Sequence, residues 1–327
     1  MKKILIIGGG PAGATAARFL AKDFDVTLIQ DRIWDKPCGG GIKSKIFHQF
    51  DIPTDTIKHI LKSVIIEYKN KKTKIDLKDK NLAIVLRSEF DKTLRNLAED
   101  NEAKLIYGKF KGFKDKKAVI NINNEKILFD YDILIAADGV NSTVRKSLNL
   151  APVPKIITHY ARVENYPVKT CEFFFDKKLG GDYYAWAFPH KNKTHIGSVG
   201  NTFKNLCEYL NIDVKPKGYF IPTWEENITI QKDNIYFVGD AAGQVMPLSF
   251  EGLYYAIHSA KILANAIKNN LDYKGEWDKR FLKEFKLMKK LENTMKKPFL
   301  RDLMIRVQSI KKIQNISVNM WLGKGLK

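Results

Sequence analysis

The stretch Lys3–Gln30, KILIIGGGPAGATAARFLAKDFDVTLIQ, limits what this chain can fold into more than any other. Ile4-Leu5-Ile6-Ile7 is an apolar run far shorter than the roughly 20 residues of a membrane span, and it suits a buried parallel strand. Gly8-Gly9-Gly10-Pro11-Ala12-Gly13 follows at once and gives the spacing Gly8-x-Gly10-x-x-Gly13. An Ala-rich helix is expected over 14–22 and a second strand over 26–30. Between a strand and a helix this spacing marks a dinucleotide site. Gly8 permits the tight turn, Gly10 lets a pyrophosphate approach the backbone, and Gly13 lets the helix pack close to the strand. Free N–H groups at the helix N-terminus face the phosphates. The acidic residue that normally ends the second strand and holds the ribose hydroxyls is here Gln30, followed by Asp31. Gln30 offers an uncharged amide oxygen. Either it holds the ribose or the chain shifts to use Asp31.

With 327 residues there is ample material for a full core, in one large domain or two. Cys38, Cys171 and Cys207 are widely spaced and form no CxxC pair, so a reduced, cytoplasmic protein without a metal centre is expected. The formal net charge is +20 and unevenly placed. Residues 279–327 hold 14 Lys and Arg against Glu284, Glu292 and Asp302, a surplus of 11. Nucleic acid, an anionic membrane surface and an acidic protein partner all suit such a surplus. No recognition motif for nucleic acid accompanies it, so none is expected. Solvated basic helix faces account for part of the excess.

Further strands are expected at 64–68, 74–77, 83–86, 104–113, 118–123, 126–129 and 132–137, and an amphipathic helix at 90–101. From about Pro152 the segments turn aromatic and strand-like, which predicts an antiparallel sheet through 229. The strands at 4–7, 132–137 and 235–238 each run into a Gly-containing turn. In a parallel sheet such turns gather at the carboxyl edge, where ligands bind. The expectation is an α/β fold: a Rossmann-like dinucleotide-binding domain assembled from discontinuous segments (1–62, 82–151 and 230–270), an inserted antiparallel-sheet substrate domain (63–81 and 152–229), and basic C-terminal helices (271–327).

Gly8-x-Gly10-x-x-Gly13, Arg87-x-x-Phe90-Asp91-x-x-Leu94, Asp138-Gly139-x-x-Ser142-x-x-Arg145 and Gly239-Asp240-Ala241-Ala242 stand in the order found in flavoproteins of the para-hydroxybenzoate hydroxylase fold, which the chain resembles over nearly its whole length. Within that fold it is most similar to the geranylgeranyl reductase family. Pro37-Cys38-Gly39-Gly40-Gly41 resembles that family's Cys-Gly-Gly loop beside the isoalloxazine ring, and Tyr184-x-Trp186-x-Phe188-Pro189 its Tyr-x-Trp-x-Phe-Pro motif. Gly181 stands where the family usually has Pro.

The resemblance implies FAD. Gly8, Gly10, Pro11, Ala12 and Gly13 would cradle its pyrophosphate, with Arg87 near that group or the ribityl chain and Gln30 or Asp31 on the ribose. Asp240 would bind ribityl hydroxyls, and Gly252 and Leu253 would open a helix whose positive end faces the flavin and favours its anionic reduced form. Cys38, Gly39, Gly41 and Phe110 complete the cofactor-binding set. Cys38 and Glu251 are the candidate catalytic residues. The strand period of two puts Tyr184, Trp186 and Phe188 on one face, either as a wall for a polyprenyl chain or as plain sheet packing.

The implied reaction reduces isoprenoid double bonds by hydride transfer from flavin N5 and protonation, on a geranylgeranyl-type lipid, a prenyl quinone or a prenyl diphosphate. NAD(P)H or a ferredoxin-like acidic protein would be the electron donor. The basic C-terminal helices, with Phe281, Phe285, Met288 and Met295 and then Phe299, Leu303, Val307 and Ile310 near helical spacing, suggest peripheral contact with an anionic membrane. The alternatives are a flavin monooxygenase or halogenase of the same fold, and a non-catalytic flavin electron-transfer protein at a membrane surface.

Overall fold

The computed structural model describes residues 1–33, 35–164 and 166–323; Trp34, at the entrance to the Cys-Gly-Gly loop, lies outside them. The chain forms two compact units, each built from three separate segments.

The first unit comprises residues 1–35, 88–155 and 222–282. Its centre is a six-stranded sheet in the order Gln231–Lys232, Ile235–Phe237, Ile133–Ala136, Lys3–Ile7, Asp25–Gln30, Lys104–Tyr107. Five of these strands are parallel, and only the two-residue edge strand runs the other way. Ile4 pairs with both Ile133 and Val26, so the first strand lies in the middle. Strands covered on both faces read as unbroken apolar runs, and Ile4–Ile7 and Leu134–Ala136 are all buried. The glycine turn, Asp138-Gly139 and Gly239-Asp240 follow three adjacent parallel strands and gather at one edge, as the recurrence of Gly turns predicts.

The segment 104–113, expected as one strand, is two. Lys104–Tyr107 ends the parallel sheet, and Lys109–Lys114 opens a separate antiparallel sheet with Lys117–Ile122 and Glu125–Phe129. The break falls at Gly108, where a side chain would press on Ile120 and Ile122.

The second unit comprises residues 36–87, 156–221 and those from 283 on. Seven strands form its main sheet, in the order Lys217–Pro222, Lys155–Val163, Lys193–Val199, Ala185–His190, Cys171–Phe174, Ser63–Tyr68, Lys71–Asp76. Strand 171–174 pairs in parallel with 63–68, so an early hairpin is stitched onto a sheet made more than a hundred residues later. One face buries Phe174, Ala185, Ala187 and Ile196 against the amphipathic helix Phe203–Leu210. The other face carries Val64, Cys171, Phe173 and Phe188, packed with the small sheet of Gly41–Lys43, Leu82–Val85 and Ile57–Leu61 and with Val318, Trp321 and Leu322 of the last helix, Lys311–Leu322.

Three helices close the chain: Tyr273–Met295, Pro298–Arg306 and Lys311–Leu322. The break before Pro298 is where a proline is tolerated, at the first position of a new helix. Phe281, Phe285, Met288 and Met295 all point into core. Phe299, Leu303 and Ile310 instead remain exposed, Phe299 at 78 %.

Candidate active site

In the first unit, the helix Pro11–Leu20 starts directly from Gly10 with Pro11 in its first turn. Gly8 has φ +104°, a conformation open to glycine, and any Cβ there would strike the Ala137 carbonyl. A Cβ at Gly13 would overlap the Gly8 carbonyl, so Gly13 is what lets helix and strand close up. A Cβ at Gly10 meets nothing within 4 Å. Bare backbone facing open space beside an uncapped helix N-terminus is the cradle a pyrophosphate requires, and the residues fit FAD there.

The turn is braced by two side chains. The Gly9 N–H donates to Gln30 Oε1 at 2.6 Å, and Gln30 Nε2 donates to the Arg32 carbonyl at 2.5 Å. Arg95 Nη1 donates to the Gly9 carbonyl at 3.1 Å. Arg95 lies on the helix Arg87–Glu99 and is almost fully buried, placing a fixed positive charge against the phosphate turn. The sequence motifs do not mark Arg95. Its signal is an arginine on a helix whose other inward positions are Phe90, Leu94 and Ala98. Asp31, the other ribose candidate, is half-exposed and 3.5 Å from Lys109 Nζ.

Gly239 (φ +59°) leads into the turn Gly239–Ala242, and a Cβ there would touch Ala12 on the first helix. Its N–H donates to Gln244 Oε1 and to Ser259 Oγ, while Gln244 donates to the Tyr273 hydroxyl and that hydroxyl to the Phe237 carbonyl. This buried network fixes the turn that presents Asp240. Gly252 caps the helix Leu253–Asn269, and Asp240 Oδ1 is 3.5 Å from where its Cβ would stand. Ala12, Asp240, Gly252 and Leu253 thus converge on one region. Glu251 is half-buried in the turn before that helix, its backbone carbonyl accepting from the Met246 N–H. Phe110 lies in the small antiparallel sheet, edge-on to Phe113 with ring centres 5.1 Å apart.

Replacing Gln30 tests which group orders the ribose end of this site. Gln30→Glu keeps an acceptor for the Gly9 N–H and adds charge, so FAD affinity is expected to hold or tighten. Gln30→Ala strands that N–H and is expected to weaken FAD binding about five-fold, the worth of one hydrogen bond of ~1 kcal/mol. Fluorescence titration of the apoprotein reads both; no change in either assigns the ribose to Asp31 or to the backbone.

In the second unit, Tyr184, Trp186 and Phe188 do share a face, with Ala185 and Ala187 fully buried on the other. Phe173 is the hub of that face. It meets Tyr184 at 5.5 Å, Phe188 at 5.3 Å and Trp321 at 5.9 Å, all edge-to-face, and Tyr184 meets Trp186 at 6.1 Å. Trp186 packs against Gly197, where any side chain would collide with the indole. Its indole N–H is buried with no partner among the described residues. Gly181 has φ +62°, a conformation that proline cannot adopt.

The Cys-Gly-Gly loop rests on Phe188: side chains at Gly39 or Gly41 would meet its ring. Gly40 has φ +77°, and its N–H donates to Cys38 Sγ at 3.3 Å. Two histidines hold this loop. His190 and His195 stack with ring centres 3.4 Å apart, His190 Nε2 3.0 Å from the Gly39 carbonyl and His195 Nδ1 3.3 Å from the Cys38 carbonyl. Burial pushes both imidazoles down, to about 4 for His190 and about 3 for His195, so both are neutral at ordinary pH. The signal in the sequence is the hairpin register, which sets His195 opposite Phe188.

A parallel sheet with a glycine turn, a bracing arginine and a convergent Gly-Asp turn defines an FAD-dependent oxidoreductase. Residues 2–154 match the pyridine nucleotide-disulphide oxidoreductase family. The chain is 31 % identical over 330 residues to the chloroplastic geranylgeranyl diphosphate reductase of Nicotiana tabacum, covering 89 % of this chain and 70 % of that one. It is 28 % identical over 287 residues to the geranylgeranyl diphosphate reductase of Rhodobacter capsulatus, covering 80 % and 73 %. A geranylgeranyl bacteriochlorophyll reductase-like protein from Thermoplasma acidophilum shares the fold with a TM-score of 0.82 at 23 % identity, over 98 % of this chain and 96 % of that one. The p-nitrophenol 4-monooxygenase of Pseudomonas putida shares it at 0.78 and 15 % identity, over the whole of both chains. The chain belongs to the geranylgeranyl reductase family.

Proposed function

We propose that this protein reduces carbon–carbon double bonds of an isoprenoid whose head is a lipid, a quinone or a diphosphate. The observation that carries the reading is the run of interlocked rings, Tyr184, Trp186, Phe173, Phe188 and Trp321, on the sheet face that meets the Cys-Gly-Gly loop. The names of the plant and bacterial relatives point the same way.

Bound and reduced, FAD supplies the hydride. The residues of the chain do the rest. Gln30, Arg95 and the glycine turn would hold the cofactor, Asp240 would bind its ribityl hydroxyls, and the N-terminus of the helix from Leu253 would favour negative charge. The aromatic face lines a dry path for the chain, and its π-faces stabilise positive charge developing at the substituted alkene carbon. Reduction of the double bond would also need a proton at the second alkene carbon, for which Cys38, Glu251 or water is the candidate donor. Electrons come from NAD(P)H or an acidic ferredoxin-like protein, to which the +20 charge is complementary.

Anaerobic stopped-flow tests the reading. The dithionite-reduced holoprotein is expected to be reoxidised by a prenyl diphosphate or prenyl lipid, and Trp186→Ala to slow that step about ten-fold or more. Failure of every prenyl compound, beside prompt reoxidation by air and a phenol, transfers the assignment to a monooxygenase.

The exposed Phe299, Leu303 and Ile310, interspersed with Arg306, Lys311 and Lys312, favour docking of this region on an anionic bilayer that holds the substrate. No helix among the described residues is long and apolar enough to cross a membrane. Each basic residue near such a surface contributes ~1 kcal/mol before screening. Co-sedimentation with phosphatidylserine vesicles is expected at low salt and is lost in Phe299→Ser/Leu303→Ser; no sedimentation at low salt refutes docking.

A further inference from the structure

We propose that His190 and His195 are positioning residues: a stacked pair, backed by Tyr160 and Arg162, that grips the Cys38 and Gly39 carbonyls and so fixes where the Cys38 thiol lies. The proposal rests on the reading that this loop serves the reaction.

A loop with three successive glycines is costly to hold in one conformation, because glycine loses the most backbone freedom on ordering. Two of its attachments are ordinary. The Val85 N–H donates to the Gly40 carbonyl at 3.0 Å, and Gly41–Lys43 pairs with Leu82–Ile84. The carbonyls of Cys38 and Gly39, nearest the thiol, are met instead by imidazoles. His190 ends the strand Ala185–His190 and His195 sits in the next strand, Lys193–Val199, so both project from a rigid hairpin. His195 faces Arg162 across the neighbouring strand pair. Arg162 Nε donates to the Tyr160 hydroxyl at 2.9 Å, and that oxygen is 3.1 Å from His195 Nδ1.

A carbonyl can only accept. His190 Nε2 therefore carries its proton toward Gly39, and one proton on His195 Nδ1 serves both the Cys38 carbonyl and the Tyr160 oxygen. Both rings must be neutral for this arrangement: two imidazolium ions stacked at 3.4 Å would repel, and every charged neighbour adds to the penalty. Those neighbours are Arg162 and Lys193 beside His195, and Lys58, Arg162 and His59 beside His190. The remaining titratable groups facing the pair are Tyr160 and Cys38. Burying two polar rings is justified only by the hydrogen bonds they make, and the loop carbonyls are where those bonds go.

Alkylation of Cys38 by iodoacetamide in the FAD-loaded protein, followed by peptide mass mapping, reads the loop directly. His190→Phe and His195→Phe keep a ring but cannot donate; each is expected to raise the Cys38 rate about ten-fold, the effect of removing one hydrogen bond from the closed loop. His190→Gln and His195→Gln can still donate and are expected to stay within about two-fold of wild type. Folded Phe variants that label at the wild-type rate overturn the proposal. Should the Phe variants fail to fold, Tyr160→Phe decides: without the competing phenol oxygen the His195 proton goes to the Cys38 carbonyl alone, so labelling is expected to fall about two-fold, and an unchanged or raised rate overturns the proposal. In the Phe variants of the two histidines the prenyl-dependent kcat falls with KM unchanged. Labelling uses no prenyl substrate, so a wrong substrate reading leaves the labelling result standing.

Discussion

A Gly10→Val protein is expected to fold normally and to purify colourless, whereas Gly13→Val is expected to be poorly folded or insoluble. The two glycines belong to one motif and differ in what surrounds them. At Gly13 a new Cβ would run into the Gly8 carbonyl, and beyond that into Ala137 Cβ at 3.1 Å. Backbone cannot rotate away, so strand and helix must separate, which costs several kcal/mol in a core where overpacking alone costs about 1–3. At Gly10 the Cβ meets no protein atom within 4 Å, and nothing in the folded chain objects. The valine instead fills the space a pyrophosphate occupies. Loss of that approach is expected to weaken FAD binding by at least about 100-fold, or ~2.7 kcal/mol. Absorbance near the flavin bands and circular dichroism, measured side by side, separate the two outcomes. Wild-type yellow in Gly10→Val would mean that the cofactor does not cross this turn.

Acid is expected to destabilise the protein through the histidine pair. His190 and His195 titrate at about 4 and about 3 in the fold, against about 6.5 in the unfolded chain. The sign follows from proton counting. Below pH 6.5 the unfolded chain binds protons that the folded one refuses, so stability falls as pH drops from 6.5 toward 4 and 3. Above 6.5 the pair contributes no pH dependence. At pH 5 the loss is on the order of 1–2 kcal/mol per ring. Urea melts at pH 7.5 and pH 5.0 are expected to show it, and the double variant His190→Gln/His195→Gln, which cannot titrate, is expected to flatten the difference. Equal slopes in variant and wild type would mean that these rings are solvated or charged.

Most of the cofactor-binding architecture is legible in the chain because it is encoded locally. Ile4–Ile7 followed by three glycines can do little else than end a buried strand in a tight turn, and the later Gly turns after 133–136 and 235–237 repeat that logic. The alternation at 184–188 likewise fixes which rings share a face. What escaped the sequence depends on register between distant strands. Phe173 becomes the hub of the aromatic face only because strand 171–174 lies beside 185–190. Trp321 joins it from a helix whose basic, amphipathic pattern resembles that of its neighbours. The pattern also groups Phe281, Phe285, Met288 and Met295 with Phe299 and Leu303, yet the first four are core and the last two face solvent. Periodicity reveals a stripe; the partner decides whether it is covered. Arg95 and the two histidines were hidden for the same reason, since a buried polar side chain carries no mark of the carbonyl it will reach.

The way each of the two large sheets draws its strands from distant parts of the chain has a consequence for how the protein is made. The first strand needs 133–136 on one side, and that strand needs 235–237 beyond it. The hairpin 63–76 meets its parallel neighbour only when 171–174 exists. During synthesis at about 5–20 residues per second, early strand edges therefore wait on the order of ten seconds or more, unpaired, before their partners leave the ribosome. Contacts of such separation also make folding slow once the chain is free. The Lys-rich hairpin 69–74 and the charged ends of these strands keep waiting edges apart. Part of the positive charge that suits a membrane or an acidic donor thus also serves as protection against aggregation while the protein is still incomplete.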